Sequence, residues 1–121
     1  MRQSPGGHNT SAHSGNNGKN TFWKNTEYQD RLALLWRKIA ERYKDKEIIA
    51  GYDLLNEPAA DTMTELNQAY SRIIKKIREV DTNHIIILEG NKFSTEFTGL
   101  DKFAEVFIGG GDNPGLDGYF L

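Results

Sequence analysis

The sequence predicts an α/β fold with two parallel, buried strands and two amphipathic helices. Two short apolar runs, residues 48–55 and 84–88, have the near-continuous β-branched character of strands covered on both faces. A helical pattern over residues 62–80 lies between them, and such a crossover makes the two strands parallel neighbours with a right-handed connection. A second helical pattern, over residues 26–44, precedes the first strand.

The composition permits one domain and excludes several kinds of partner. The chain has 121 residues, of which 37% are hydrophobic and 26% charged, and its net charge of −2 gives no basis for binding nucleic acid or an anionic membrane. No run approaches the ~20 apolar residues of a membrane-spanning helix. The absence of cysteine excludes disulfides and thiolate catalysis. Neither a secretory signal nor an obligate protein partner is indicated, and localisation stays undetermined.

The chain opens with a long polar segment, followed by the first helix. Residues 4–25 are rich in Gly, Asn, His and Ser, and a loop of that length inside a compact domain is usually functional or disordered. The helix over residues 26–44 begins with a capping box, in which Thr26 and Gln29 can satisfy each other's backbone N–H groups. Apolar side chains then recur at helical spacing.

A second capping box, formed by Thr62 and Glu65, opens the helix over residues 62–80. Its apolar face is expected to consist of side chains at helical spacing: Leu66, Ala69, Tyr70, Ile73, Ile77 and Val80.

The pattern weakens after residue 90. A short helix within residues 93–103 and a short strand at residues 104–108 are expected. The following run, GGGDNPG, fails as a dinucleotide-binding fingerprint, because Pro114 stands where that motif needs a helix start. We therefore divide the chain into a domain at residues 1–103 and a glycine-rich tail at residues 104–121.

The strongest functional signal is the Asn-Glu-Pro triplet that ends the first strand. Pro58 stops the strand because it has no N–H to donate. A carboxylate at the carboxyl end of a parallel strand lies where β/α folds perform their chemistry. Glu57 suits general acid–base catalysis, and Asn56 offers a neutral donor and acceptor for a sugar hydroxyl. The alternative is that Glu57 is a helix-entry acid, which the next helix N-terminus favours.

Other acids are weaker candidates. Strand alternation places Asp53 and Glu57 on one face and Asn56 on the other, so Asn56 and Glu57 can meet one substrate only if the pleat breaks, as at a bulge. Asp53 is expected to be a hydrogen-bonded structural acid. Glycoside hydrolysis requires two carboxyl groups flanking the bond. Glu89 ends the second strand, but an ordinary strand-to-loop exit follows, so it is a poor candidate for the nucleophile.

Three histidines and one tryptophan complete the candidates. His8, His13 and His84 show no metal-ligand spacing, so we expect solvated loop histidines and neither a metal nor a cofactor. Trp23 either stacks on a sugar ring or packs, together with Phe22, as a hydrophobic staple before the first helix, and both interpretations stay open.

Three stretches together resemble glycoside hydrolase family 5, the cellulase family of clan A: PGGHN, RLALLWRKIAERYKDKEIIAGYDLLNEP and AYSRIIKKIREVDTNHIIILEGN. The resemblance runs from about residue 3 to residue 102. It implies a (β/α)8 TIM barrel, of which this chain covers roughly strands 3 to 5, with residues 48–55 as strand 4. It further implies a retaining hydrolase of β-glucans or β-mannans, in which Glu57 is the acid/base and Asn56 binds substrate.

The chain also departs from that family. The resemblance places the nucleophile on a seventh strand, and a full barrel needs ~250 residues. Arg2 replaces the usual histidine, and residues 104–121 lack the motif of the sixth strand. We therefore expect a truncated piece of a cellulase-like endo-β-1,4-glucanase that carries the acid/base but lacks the nucleophile and is inactive in isolation. Mannan, β-1,3-glucan and xyloglucan stay open as alternative substrates. The alternatives are a non-catalytic carbohydrate-binding or scaffold module, and an unrelated small α/β domain.

Overall fold

The computed structural model describes residues 1–16, 19–103, 106–108 and 119–120. Two 3-10 turns, Ala12–Ser14 and Phe22–Lys24, lie in the polar segment. The remaining elements follow in the order α1 (Thr26–Tyr43), β1 (Gly51–Asp53), α2 (Met63–Arg78), β2 (Ile85–Leu88), α3 (Asn91–Ser94), β3 (Val106–Ile108) and β4 (Tyr119–Phe120).

The four strands form one sheet in the order β1-β2-β3-β4. β1 pairs with β2 in parallel, with Gly51 beside Ile85, so the predicted pair of parallel neighbours is confirmed. β3 pairs with β2 in parallel, whereas β4 is antiparallel to β3. The expected strand at residues 104–108 is thus present as Val106–Ile108. The boundary between residues 103 and 104 stays a prediction, and the GGGDNPG run lies outside the described residues.

β1 is shorter than the predicted strand at residues 48–55. Ile48 is 95% exposed, and the chain before Gly51 forms a turn in which the Ile49 N–H donates to the Lys46 carbonyl at 3.0 Å. The prediction of a buried start was wrong because the chain must reverse direction directly after α1. Gly51 begins the strand, where a Cβ would collide with the Ile85 carbonyl oxygen of β2.

The cap of α1 also differs from the prediction. Asn25 is the N-cap, and its side chain accepts from the Tyr28 N–H at 3.2 Å. Gln29 is buried and donates to the carbonyls of Phe22 and Trp23, both at 3.1 Å. The expected Thr26–Gln29 box was wrong because Asn25 takes the N-cap position, and the Gln29 backbone N–H donates to the Asn25 carbonyl at 3.2 Å.

The core lies between the two long helices and the sheet. α2 carries the predicted capping box, in which Thr62 and Glu65 bond each other's backbone N–H. Trp36 of α1 donates its indole N–H to the Leu54 carbonyl at 3.3 Å, which fixes the helix to the end of β1. The fully covered side chains include Leu32, Leu54, Leu55, Leu66, Tyr70, Ile73, Ile77, Ile86 and Leu88.

The segment after β2 is irregular. Three consecutive residues of α3, Lys92, Phe93 and Ser94, have φ of 49°, 58° and 63°, in the left-handed region. The helix expected within residues 93–103 was therefore wrong, and the chain forms a tight left-handed turn followed by loop.

Candidate active site

The polar residues that follow β1 and β2 meet at the carboxyl edge of the sheet. Asn56 and Glu57 follow β1, and Glu89 follows β2 directly. The polar N-terminal segment reaches the same edge, since the Asn9 side-chain amide donates to the Glu57 carbonyl at 2.9 Å. The polar N-terminal segment and Glu57 therefore lie at the same edge of the sheet.

Glu57 has an unusual backbone conformation. Its φ is 51°, in the left-handed region that costs a non-glycine residue about 1–2 kcal/mol. This turn breaks the strand alternation that would have placed Asn56 and Glu57 on opposite faces. The Asn56 side-chain amide consequently lies 3.4 Å from the Glu57 carboxyl, as donor to Oε2. The sequence anticipated a bulge, and the structure achieves the break with a positive φ.

The surrounding protein holds this strained segment through its main chain. Every backbone N–H and C=O group of residues 56–60 has a hydrogen-bond partner, although the segment forms neither helix nor strand. The N–H groups of residues 56, 57, 59 and 60 donate, in that order, to the Met1 carbonyl, the Glu89 carboxylate, the His8 carbonyl and Asn91 Oδ1. The C=O groups of residues 56, 57, 58, 59 and 60 accept, in that order, from the side chains of His8 and Asn9, the Phe93 N–H, and the side chains of Asn20 and Asn91.

Glu89 provides the acceptor for the backbone N–H of Glu57. Its side chain is buried, and its Oε2 accepts the Glu57 N–H at 2.7 Å. The same oxygen accepts the Ser94 hydroxyl. The Glu89 carbonyl accepts from the hydroxyl of Tyr70, a fully buried residue of α2, at 2.8 Å. The sequence placed Glu89 at a strand end but gave no sign of its bond to the backbone of Glu57.

His8 is fully buried beneath the segment and is neutral at ordinary pH. Burial is the main cause that lowers its pKa to about 4. Its Nε2 lies 2.7 Å from the Asn56 carbonyl, which can only accept, so the proton of the neutral ring lies on Nε2. Its Nδ1 then accepts from the Ser4 hydroxyl at 3.0 Å. From the sequence, His8 was expected to be a solvated loop residue, and its complete burial shows that this expectation was wrong.

Asp53 adds a second carboxyl group below the edge. Burial and, to a smaller extent, the nearby Glu89 carboxylate raise its pKa to about 6, while the N-terminal amine of Met1 opposes the effect. Its Oδ1 is buried and has no hydrogen-bond partner among the described residues. Asp53 is therefore not the fully hydrogen-bonded structural acid that was expected.

Trp23 lies in the core and not on the surface of the site. It is 5% exposed, packs edge-on against Phe22, and donates its indole N–H to the His8 carbonyl at 3.1 Å. This burial favours the packing interpretation over stacking on a sugar ring, because no open ring face is presented.

Metal sites and membrane-spanning helices were also considered for the described part of the chain. No group of three or more metal-ligating side chains occurs there. None of the helices described is both long and apolar enough to cross a membrane.

Comparison with known proteins identifies the family. The family model described as cellulase (glycosyl hydrolase family 5) matches residues 7–114. The chain belongs to glycosyl hydrolase family 5. A β-xylosidase of Phanerodontia chrysosporium is 39% identical over 100 residues, which cover 81% of this chain and 21% of that protein. An endoglycoceramidase of Cyanea nozakii is 33% identical over 106 residues, which cover 75% of this chain and 20% of that protein.

A solved family 5 structure shows the same architecture. The endoglucanase of the hyperthermophilic Thermotoga maritima matches with a TM-score of 0.58 and 25% identity, over 73% of this chain and 31% of that one. The parallel strands and helices described above thus form part of a family 5 TIM barrel. The chain spans about a fifth of the length of the curated relatives that it matches.

Proposed function

We propose that Glu57 is the general acid/base of a retaining glycoside hydrolase that cleaves β-glucans, and that Asn56 hydrogen-bonds a hydroxyl group of the bound sugar. The observation that carries the proposal is the strained, fully hydrogen-bonded backbone of Glu57 at the carboxyl edge of the sheet. Backbone strain of this kind clusters at active sites. Glu57 is half-buried, and among the described residues the hydrogen-bond partner of its carboxyl group is the Asn56 amide, which contacts Oε2. Oε1 is therefore available to a substrate oxygen.

The proposed chemistry has two steps. Glu57 first donates a proton to the glycosidic oxygen while a second carboxylate attacks the anomeric carbon and forms a glycosyl-enzyme. The Glu57 carboxylate then takes a proton from the water that hydrolyses this intermediate, so the acid is regenerated.

We place the nucleophile outside the described residues. Among these, Glu89 is the acid whose carboxylate contacts Glu57 at the carboxyl edge. Glu89 is 7% exposed and engaged by two donors through one oxygen, which argues against attack on a sugar. The 121-residue chain alone is accordingly expected to be inactive on any glycoside.

The choice of substrate class draws on the relatives and not on the geometry of the site. The relatives include an endoglucanase, a β-xylosidase and an endoglycoceramidase by name, so polysaccharides and glycolipids are both compatible with family membership. We propose a β-1,4-glucan, in keeping with the endoglucanases among these relatives. Parallel assays on cello-oligosaccharides, an aryl β-xyloside and a glycosylceramide distinguish endoglucanase, β-xylosidase and endoglycoceramidase activity.

The role of Glu57 as acid/base is tested in the longest polypeptide that contains this chain. That polypeptide is found by sequencing the surrounding DNA and translating it in every frame beyond Leu121. Two aryl β-cellobiosides are compared, one with a poor phenolate leaving group and one with dinitrophenolate. Glu57→Gln is expected to lower kcat/KM for the first roughly 100-fold or more and for the second far less. The reason is that kcat/KM reports formation of the glycosyl-enzyme, in which only a poor leaving group needs protonation. Glu27→Gln removes an exposed carboxylate of α1 and serves as the matched control.

Equal losses on both substrates, or no loss on either, would contradict the acid/base role of Glu57. Binding of cello-oligosaccharides without hydrolysis of either cellobioside would instead support the non-catalytic carbohydrate-binding module.

A further inference from the structure

We propose that Glu89 is a positioning residue for Glu57: its carboxylate accepts the Glu57 backbone N–H and thereby holds the acid/base in its left-handed conformation. This inference rests on the proposed function of Glu57. It assigns Glu89 a role that acts through Glu57 and not through contact with the reacting atoms.

The hydrogen bond has the properties that such a role requires. At 2.7 Å from Glu57 N to Glu89 Oε2 it is at the short end of the range for a charge-assisted bond. Its acceptor is 7% exposed, so water competes weakly for it. Without an acceptor, the Glu57 N–H would lose the contact that favours φ of 51° over an extended conformation.

Glu89 is itself held in place. The Ser94 hydroxyl donates to the same Oε2, and the hydroxyl of Tyr70 holds the Glu89 carbonyl at 2.8 Å. Tyr70 is fully buried in α2, so the position of the carboxylate is set by the packed helix and not by a mobile loop.

The rest of the loop after β2 binds the same segment. The Phe93 N–H donates to the Pro58 carbonyl at 3.0 Å, from within the left-handed turn. The Asn91 side chain bonds both the N–H and the C=O of Ala60, at 2.8 and 3.1 Å. Glu89 therefore belongs to a loop that binds successive main-chain groups after Asn56.

The experiment compares Glu89→Gln with Glu89→Ala in the polypeptide and assays used for Glu57. Gln retains a carbonyl oxygen that can accept the Glu57 N–H, so kcat on the poor leaving group is expected to fall less than about tenfold. Ala removes the acceptor and is expected to lower kcat on the poor leaving group roughly 100-fold, with KM nearly unchanged. The kcat/KM for the dinitrophenyl substrate, which reports only formation of the glycosyl-enzyme, should be nearly unchanged. In a Glu57→Gln background, Glu89→Ala should lower kcat no further.

A structural measurement on the chain itself accompanies the kinetics. In a 15N-labelled sample, the short bond should shift the Glu57 amide proton downfield. Glu89→Ala should remove that shift, while Glu27→Gln should leave it unchanged. A Glu57 amide shift that is unaffected by Glu89→Ala would overturn the proposal.

The outcomes separate the two proposals. If Glu57→Gln shows no dependence on leaving group, the acid/base assignment fails. If the loss in Glu57→Gln depends on the leaving group and the loss in Glu89→Ala does not, only the proposed role of Glu89 fails. Complete loss on both substrates in Glu89→Gln would identify a nucleophile and overturn the positioning role. Should Glu89→Ala not fold, the Glu89→Gln result decides, since a small loss confined to the poor leaving group supports the proposal.

Discussion

The two edges of the sheet both bring an acid and a histidine together, but they use them differently. At the amino edge, Asp81 Oδ2 accepts from the Tyr52 hydroxyl and lies beside His84 Nδ1, both at 2.7 Å. Asp81 Oδ1 accepts the N–H groups of Asn83 and His84, and His84 Nε2 lies 3.2 Å from the Lys46 carbonyl. The polar side-chain atoms of Tyr52, Asp81 and His84 are thus all committed to other groups of the protein.

The same contacts also shift the pKa values of Asp81 and Tyr52 at the amino edge. Burial opposes ionisation of Asp81, but the hydrogen bonds from Tyr52, His84 and Asn83 outweigh it and lower the Asp81 pKa. Burial raises the pKa of Tyr52, and the Asp81 carboxylate adds to this effect. At the carboxyl edge, by contrast, buried side chains bond the main chain around Glu57 and leave the Glu57 carboxyl partly exposed. The comparison shows that an acid–histidine contact alone does not indicate catalysis, whereas a supported strained backbone with an available carboxyl does.

The largest expected effect is at the amino edge. Asp81→Ala leaves the Tyr52 hydroxyl and two backbone N–H groups without their acceptor, so it should lower the free energy of unfolding by about 3 kcal/mol. Urea denaturation of the chain measures this. Asp45→Ala, an exposed acid at the same edge, should change it by less than about 0.5 kcal/mol. Comparable losses in both variants would mean that the Asp81 network contributes little.

The next prediction concerns how the free energy of unfolding depends on pH through His8 at the carboxyl edge. The pKa of His8 is about 4 in the folded chain, against 6.5 for an unperturbed histidine, so the folded chain binds fewer protons than the unfolded chain between these values. The stability that the neutral ring confers is complete above pH 6.5 and is lost as the pH falls towards 4, by at most about 3 kcal/mol. His8→Gln cannot gain this proton, so its stability should fall less over that range.

Asp53 complicates this measurement in a predictable way. Its pKa is raised to about 6, so its folded form binds more protons between pH 4 and 6, and its contribution falls as the pH rises. Asp53→Asn should therefore steepen the acid-induced loss of stability that His8→Gln reduces. Parallel pH profiles for both variants would contradict the two assignments.

The sequence was sufficient for features that depend on short-range pattern. The parallel strands followed from two apolar runs around a helical one, and Asn56 and Glu57 followed from their place at the end of a strand. The hydrogen bonds of Glu89 and His8 to the main chain around Glu57 could not be predicted, because they join residues 32 and 48 positions apart in the sequence. A signal existed for Glu89, since it follows the strand next to the one that precedes Glu57.

A smaller effect tests the strain at Glu57. Glycine adopts φ of 51° without a steric penalty, so Glu57→Gly should raise the free energy of unfolding by about 0.5–1 kcal/mol although it removes the proposed acid. The same change at Glu41, an exposed position in α1, should lower stability by about 0.5–1 kcal/mol. Chemical denaturation of both variants should give opposite signs, and a loss at Glu57 would show that its conformation is not strained.

An effect of similar size concerns the two helix starts, which look alike in sequence and differ in structure. Thr62 Oγ1 accepts the Glu65 N–H at 3.2 Å, so Thr62→Ala should lower the free energy of unfolding by about 1 kcal/mol. Thr26 lies inside α1, where Ala is the better helix former, and Thr26→Ala should be neutral or slightly stabilising. Asn25→Ala should instead show the loss of a cap. Equal losses in the two threonine variants would mean that Thr26 does cap α1 in solution, as the sequence pattern alone suggested.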